Sequence, residues 1–173
     1  KNIMVSAHMD EIGLMVTHVE ENGFVRFTNL GGVRPVNCTA ARVQFLDGTR
    51  GVIGYEPTGS GTSVPDLKKM YIDVGATFAK DCPVEIGDVA SYERVPEKIG
   101  NRMVSKAMDD RIGCVVLIES LKRLKSTPHA VYGVFSVQEE VGLRGAITSA
   151  YAIDPEIGIA LDVTLAGDTP KAN

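Results

Sequence analysis

Four clusters of acidic and histidine side chains stand out because each follows an apolar segment or begins a helical one. They are His8-Met9-Asp10, Asp109-Asp110, Glu139-Glu140 and Asp162. A carboxylate at the end of a core strand is costly unless it is paired or binds a metal ion. One histidine with several carboxylates suits zinc, cobalt or manganese rather than a soft thiolate site. The pattern therefore predicts one shared metal centre.

Each cluster also has an ordinary structural interpretation. Asp109-Asp110 could simply cap a helix, and Glu139-Glu140 could be a solvated acidic turn. His8 alone could be a structural residue, although the spacing to Asp10 would let that aspartate orient the ring. In the glutamate pair, one carboxylate could bind metal while the other serves as general base, as metal-assisted hydrolysis requires.

The remaining histidines and cysteines show no such grouping. His18 lies in a predicted strand and His129 follows Pro128 in a turn, and neither has a partner spaced as Asp10 is from His8. Cys38, Cys82 and Cys114 are scattered and odd in number. This predicts free thiols rather than a disulfide framework, and with them a cytoplasmic location.

The amino-acid composition of the chain limits the classes of partner that it can bind. The chain has 173 residues, 44% hydrophobic and 23% charged, which is typical of a soluble globular protein. Its net charge of −4 argues against nucleic acid or an anionic membrane as partner. No apolar run reaches the roughly 18 residues that a membrane span needs.

The order of elements predicts an α/β fold with a β-rich insertion. Strands are expected at 3–7, 14–19, 24–28, 42–46, 49–53, 70–74, 89–93, 130–137 and 157–161, and helices at 109–125 and 143–152. Asn22-Gly23 and Asp47-Gly48 are typical hairpin turns, and the loop-like composition of 57–63 separates two strands. No helix is expected between residues 14 and 101. Strand, helix and strand after residue 102 indicate a parallel sheet.

This division predicts a catalytic α/β domain formed by residues 1–13 and 102–173, interrupted by an inserted β-rich domain at 14–101. Lys1–Ala7 reads as a strand already under way, and the chain stops in a loop-like stretch at Asn173. We therefore expect the sequence to be a piece of a longer protein.

Four motifs in one order resemble the tetrahedral or glutamyl aminopeptidase family of cocatalytic metallopeptidases. Some members carry the label endoglucanase or cellulase M. The motifs are Ala7-His8-Met9-Asp10-Glu11-Ile12-Gly13, Lys106-Ala107-Met108-Asp109-Asp110-Arg111-Ile112-Gly113, Val137-Gln138-Glu139-Glu140-Val141-Gly142-Leu143-Arg144-Gly145-Ala146 and Ala160-Leu161-Asp162-Val163-Thr164. The resemblance implies a zinc-peptidase-like mixed, largely parallel sheet with flanking helices and an inserted β-barrel-like domain.

The resemblance also implies a role for each candidate residue and two divalent ions, zinc or cobalt, with manganese possible. His8 and Asp162 would bind one ion, Asp109 would bridge both, Glu140 would bind the second, Glu139 would be the general base and Asp10 would hold His8. The Asp109–Asp110 peptide bond is expected to be cis.

Substrate and assembly follow from the same resemblance. The substrate would be a peptide cleaved at its first bond, and the inserted domain would form a homodimer able to assemble into a dodecamer. The family completes its second metal site with a histidine nearer the C-terminus, which these residues do not include. This predicts one complete and one incomplete site, with weak or no activity. The alternatives are a non-catalytic assembly role and, with a metal-free carboxylate pair, an endoglucanase.

Overall fold

The computed structural model describes residues 1–57 and 63–171. Most of the loop predicted at 57–63 lies outside these residues. The chain separates into two compact units. The first contains Lys1–Asp10 and the chain from Ala107 onward, and the second contains Glu11–Lys106. The dimerisation role given to residues 14–101 stays a prediction.

The described residues form eleven strands and three α-helices. In chain order they are β1 (Asn2–His8), β2 (Gly13–Val19), β3 (Val25–Leu30), α1 (Pro35–Cys38), β4 (Arg42–Phe45), β5 (Arg50–Tyr55), β6 (Met70–Asp73), β7 (Val89–Tyr92), β8 (Glu97–Ile99), β9 (Arg102–Val104), α2 (Met108–Arg123), β10 (Ala130–Ser136), α3 (Arg144–Ile153) and β11 (Ile157–Ala160). Two short 3-10 turns lie at Leu67–Lys69 and Ala79–Asp81.

A parallel three-stranded sheet, ordered β10-β1-β11, forms the centre of the first unit. His8 at the end of β1 lies opposite Ser136 at the end of β10, and Ser6 lies opposite Ala160 at the end of β11. The carboxyl ends of all three strands therefore meet at one edge. Polar side chains in the loops that follow are brought together there.

Helix α2 packs on this sheet through Cys114, Leu117 and Leu121. Leu117 is 1% exposed and forms a buried cluster with Cys114 and Ala7 of β1. Leu121 packs against the same cluster. The contact holds the middle of α2 against β1, and truncation of Leu117 to alanine should cost about 2–5 kcal/mol of stability.

The second unit is a closed antiparallel barrel with strand order β2-β3-β6-β5-β4-β7. Successive side chains of a strand point alternately into the barrel and out of it. In β4, Val43 and Phe45 are buried in the interior, while Arg42 and Gln44 are exposed. The predicted turn at Asn22-Gly23 joins β2 and β3. Gly23 has φ +83°, and an added Cβ would lie 2.6 Å from the Ala76 carbonyl oxygen.

Two features of the second unit differ from the sequence-based expectation. The four-residue helix α1 begins at Pro35, although no helix was expected between residues 14 and 101. Proline suits the first position of a helix. The hairpin of β8 and β9 was not expected, since all six of its strand residues are exposed and carry no core pattern. Within the described part of the chain, no helix is long and apolar enough to cross a membrane.

Candidate metal centre

His8 lies at the middle of a group of carboxylates. Its side chain is 3% exposed, and Nε2 lies 3.0 Å from Asp109 Oδ1 and 3.8 Å from Glu139 Oε2. On the other side of the ring, Nδ1 lies 3.1 Å from the main-chain oxygen of Asp10. A protonated ring can donate to both neighbours. In that form Nε2 carries a proton, which it would lose on binding a metal ion.

The charge around His8 favours its protonated form. Burial lowers the pKa of His8, but the hydrogen bond with Asp109 and the charges of Glu139 and Asp10 outweigh that effect. The net result is a pKa raised above 6.5. A site that stabilises a positive charge on this ring through surrounding carboxylates is also electrostatically suited to a divalent cation.

Asp10 connects the histidine to the glutamate pair. Its main-chain oxygen faces Nδ1 of His8, and its carboxylate Oδ1 lies 3.5 Å from the same nitrogen. The carboxylate also accepts the main-chain N–H groups of Glu139, at 3.1 Å, and Glu140, at 3.2 Å. Asp10 therefore contacts His8 and also fixes the backbone of the glutamate turn.

The turn that carries the glutamates has an unusual backbone. Gln138 and Leu143 both have positive φ, at 60° and 57°. The carbonyl oxygen of Glu139 accepts the N–H groups of Gly142 and Leu143, and Gly145 packs so closely that an added Cβ would overlap Val137. This tight return to α3 explains how two adjacent acidic residues both lie at the edge of the sheet.

Two groups of side chains among the described residues are close enough to hold a metal ion. One consists of His8, Asp109 and Glu140, and the other of His8, Asp110 and Asp162. In each, one ligand atom per residue lies within 4.8 Å of the others. The donors are one imidazole and several carboxylates, which fit zinc, cobalt or manganese.

All six residues named from the sequence lie at this edge, although the grouping differs in one respect. His8, Asp109 and Glu140 come together, and Asp162 lies beside His8 in the second group. That second group includes Asp110, which belongs to an acidic cluster noted in the sequence but was given no ligand role of its own. Neither His18 nor His129 belongs to a group of this kind in the part of the chain that is described.

Asp110 makes more contacts than its place in an acidic cluster predicted. It is fully buried, and its carboxylate accepts the main-chain N–H of Gly113, which caps the regular part of α2. Asp109 and Asp110 themselves have non-helical φ and ψ, and the peptide bond between them is cis, as expected. The available signal was the repetition of aspartate directly beside a ligand candidate.

The family described as M42 glutamyl aminopeptidase matches residues 1–173. The chain therefore belongs to the M42 glutamyl aminopeptidase family. A curated relative from Acetivibrio thermocellus is 47% identical over 175 residues, covering 100% of this chain and 53% of the relative. Lysyl aminopeptidase of Pyrococcus furiosus is 38% identical, covering 95% of this chain and 51% of its own length. The chain thus spans about half the length of these relatives.

Solved structures are similar in both fold and sequence. An aminopeptidase of Desulfurococcus kamchatkensis has a TM-score of 0.91 and 44% identity, with 99% of this chain and 50% of that chain covered. A Pyrococcus horikoshii TET1 peptidase that can assemble into a tetrahedron or a large octahedral shell has a TM-score of 0.85 and 32% identity, covering 98% and 56%. A Thermotoga maritima protein described as an endoglucanase has a TM-score of 0.80 and 37% identity, covering 99% and 51%.

Proposed function

We propose that this chain carries the metal centre of an aminopeptidase that removes the first residue of a peptide with two divalent ions. The observation that carries the proposal is the convergence of His8, Asp109, Glu140 and Asp162 at the carboxyl edge of one parallel sheet. Family membership supports it, because the family is metal-dependent. Zinc or cobalt suits the donor set best, with manganese also possible.

His8 and Asp162 would hold one ion, Glu140 the other, and Asp109 would bridge the two. When bound, such ions polarise the scissile carbonyl and lower the pKa of a coordinated water. Glu139 is the general base, with Oε2 3.8 Å from His8 Nε2. It takes a proton from the attacking water and returns it to the leaving amine. Asp10 keeps both His8 and Glu139 in place, so that the base and the ligand have a fixed separation.

The acidic surroundings suit a peptide with a free amine. Asp109 is 58% exposed and Glu139 27% exposed at the side chain, so both can face a substrate. A positively charged amine placed near these carboxylates would be attracted to them. This orients the peptide with its first residue at the centre and its first peptide bond next to Glu139.

The finer features of the fold and assembly belong to the same proposal. We assign the first unit to a zinc-peptidase-like fold with α2 and α3 as flanking helices. The barrel would form a homodimer, and dimers would assemble further; the tetrahedron and octahedral shell formed by the Pyrococcus horikoshii relative support this. The three free cysteines, Cys38, Cys82 and Cys114, support a cytoplasmic location.

The endoglucanase description of one structural neighbour gives a second candidate. Glycosidases use two carboxylates about 5–9.5 Å apart and need no metal. They would have no use for a buried histidine surrounded by four ligand-type carboxylates. Sensitivity to a chelator separates the two reactions directly.

The test is hydrolysis of aminoacyl p-nitroanilides, with cobalt or zinc added and with or without EDTA. Wild type is compared with Glu139→Gln, which keeps the shape of the side chain and removes the base. We expect weak metal-dependent hydrolysis by wild type and none by the variant, while metal binding by calorimetry persists in both. Hydrolysis that survives EDTA, or cellulose hydrolysis without peptide hydrolysis, would contradict the proposal. A chain that binds metal without hydrolysing any substrate would indicate an assembly role.

A further inference from the structure

The main chain of His8 is held by buried side chains on α2. Asp110 is 0% exposed, and its Oδ2 accepts the N–H of His8 at 3.3 Å. Its other oxygen, Oδ1, accepts the N–H of Gly113 at 3.0 Å. Isolated burial of a carboxylate is strongly unfavourable, and these two bonds replace part of its lost hydration.

Cys114 bonds to the other main-chain hydrogen-bonding group of His8. Its Sγ–H donates to the carbonyl oxygen of His8 at 3.2 Å, and Cys114 is 7% exposed. Cys114 lies in the cluster that joins α2 to Ala7, the residue before His8. Both hydrogen-bonding groups of the His8 backbone are thus bonded to side chains from one turn of α2.

We propose that Asp110 and Cys114 are positioning residues that fix the backbone of His8 and so direct its Nε2 toward the metal centre. This inference rests on the proposed function, because it takes His8 as a ligand. The ring is already held at Nδ1 by Asp10. Fixing both main-chain groups removes the remaining freedom of the residue, so that metal binding orders less of the chain.

The geometry favours positioning over direct ligation by Asp110. Both of its oxygens accept main-chain hydrogen bonds, whereas Asp109 is 58% exposed and has an oxygen 3.0 Å from Nε2. Space around Asp110 is also minimal, since a Cβ added to Gly113 would overlap its carboxylate. Asp110 does lie near His8 and Asp162, however, so direct ligation must be tested.

Cobalt titration of the metal-free 173-residue chain provides that test, with affinity, stoichiometry and visible absorption bands as readouts. The variants are Asp110→Asn, Asp109→Asn, Cys114→Ala and, as a matched control in the other unit, Cys82→Ala. In Asp110→Asn, the side-chain NH₂ group would face one of the two main-chain N–H groups, of His8 and Gly113, that the carboxylate accepts. We expect about 10- to 100-fold weaker cobalt binding with wild-type stoichiometry and band positions. Cys114→Ala should weaken binding about threefold by loss of one hydrogen bond, and Cys82→Ala should have no effect.

Altered bands in Asp110→Asn, resembling those of Asp109→Asn, would show that Asp110 is a ligand and overturn the proposal. Unchanged cobalt affinity with a lowered melting temperature would reduce Asp110 to a helix cap. If Asp110→Asn does not fold, Cys114→Ala decides, and affinity equal to that of Cys82→Ala overturns the proposal. A wild-type chain that binds no cobalt would instead contradict the proposed function itself.

Discussion

Asp10 accepts the main-chain N–H of Glu139 at 3.1 Å, although the two residues are 129 positions apart. The same carboxylate accepts the N–H of Glu140, and the carbonyl of Asp10 faces Nδ1 of His8. One residue thus connects the end of β1 to the turn after β10. Motion of either segment would be transmitted to both the proposed base and a proposed ligand.

Replacement of Asp10 by asparagine should weaken the centre without unfolding the chain. Asparagine offers one acceptor oxygen, and its amide would face the second main-chain N–H. We expect metal affinity to fall about 10- to 100-fold, with any peptidase activity falling at least as much. Calorimetric titration with zinc measures the affinity.

Asp47→Asn is the matched control for this change. Asp47 also accepts a main-chain N–H, from Thr49, but it lies in an exposed turn of the barrel. Its substitution should leave zinc affinity unchanged. Equal affinities for Asp10→Asn and wild type would show that the carboxylate does not support the centre.

Replacement of Gly113 by alanine should disturb the cap of α2. The new Cβ would overlap the carboxylate of buried Asp110, and neither group has room to move freely. Such overpacking costs about 1–3 kcal/mol of unfolding free energy. Urea unfolding followed by circular dichroism measures the loss. Gly158→Ala serves as control, because nothing lies within 4 Å of its added Cβ; a comparable loss in both variants would argue against the clash.

The barrel should lose stability at alkaline pH through Tyr92. Burial raises the pKa of Tyr92 above its ordinary value of 10.0, and the hydrogen bond with Cys38 Sγ, 3.3 Å from the hydroxyl, adds to the effect. The folded chain thus binds this proton more tightly than the unfolded chain. The resulting stability is fully present below pH 10 and is lost progressively as the pH rises toward the folded pKa.

Urea unfolding at pH 8 and at pH 11 tests the predicted fall in unfolding free energy with rising pH. Wild type should lose more unfolding free energy between the two values than Tyr92→Phe, which has no phenol to ionise at that position. Tyr55→Phe, an exposed tyrosine of the same barrel, should behave as wild type does. A loss equal in wild type and Tyr92→Phe would assign the alkaline effect to other groups.

Short sequence patterns were sufficient to predict the hairpin turns, whose conformation depends on adjacent residues. Asn22-Gly23 and Asp47-Gly48 were correctly interpreted as hairpin turns because positive φ is required there, and Gly23 and Gly48 have φ of 83° and 93°. The predicted α/β organisation with a parallel sheet was also confirmed. The hydrophobic periodicity of its strands and helices, and the residues of its turns, are visible in the sequence. The hairpin of β8 and β9 was missed because short exposed strands bury no face that would create a pattern.

The site could be predicted only as far as side-chain types reveal it. The ends of apolar segments indicated His8, Glu139 and Asp162, and the start of a helical segment indicated Asp109, as candidates for one site. The contact of Asp110 with the backbone of His8 could not be predicted, since it joins residues 102 positions apart through a main-chain N–H that no sequence pattern reports. The same holds for Asp10 and the two amides of the glutamate turn.

The most direct test of the central claim is calorimetric titration of the metal-free chain with zinc, for wild type, His8→Gln and His129→Gln. His8 lies in both groups of ligand-type side chains, whereas His129 lies in neither. Wild type and His129→Gln should bind zinc with equal affinity, and His8→Gln should bind at least 100-fold more weakly. Absence of zinc binding in wild type, or equal binding by His8→Gln, would contradict a metal centre at this edge of the sheet.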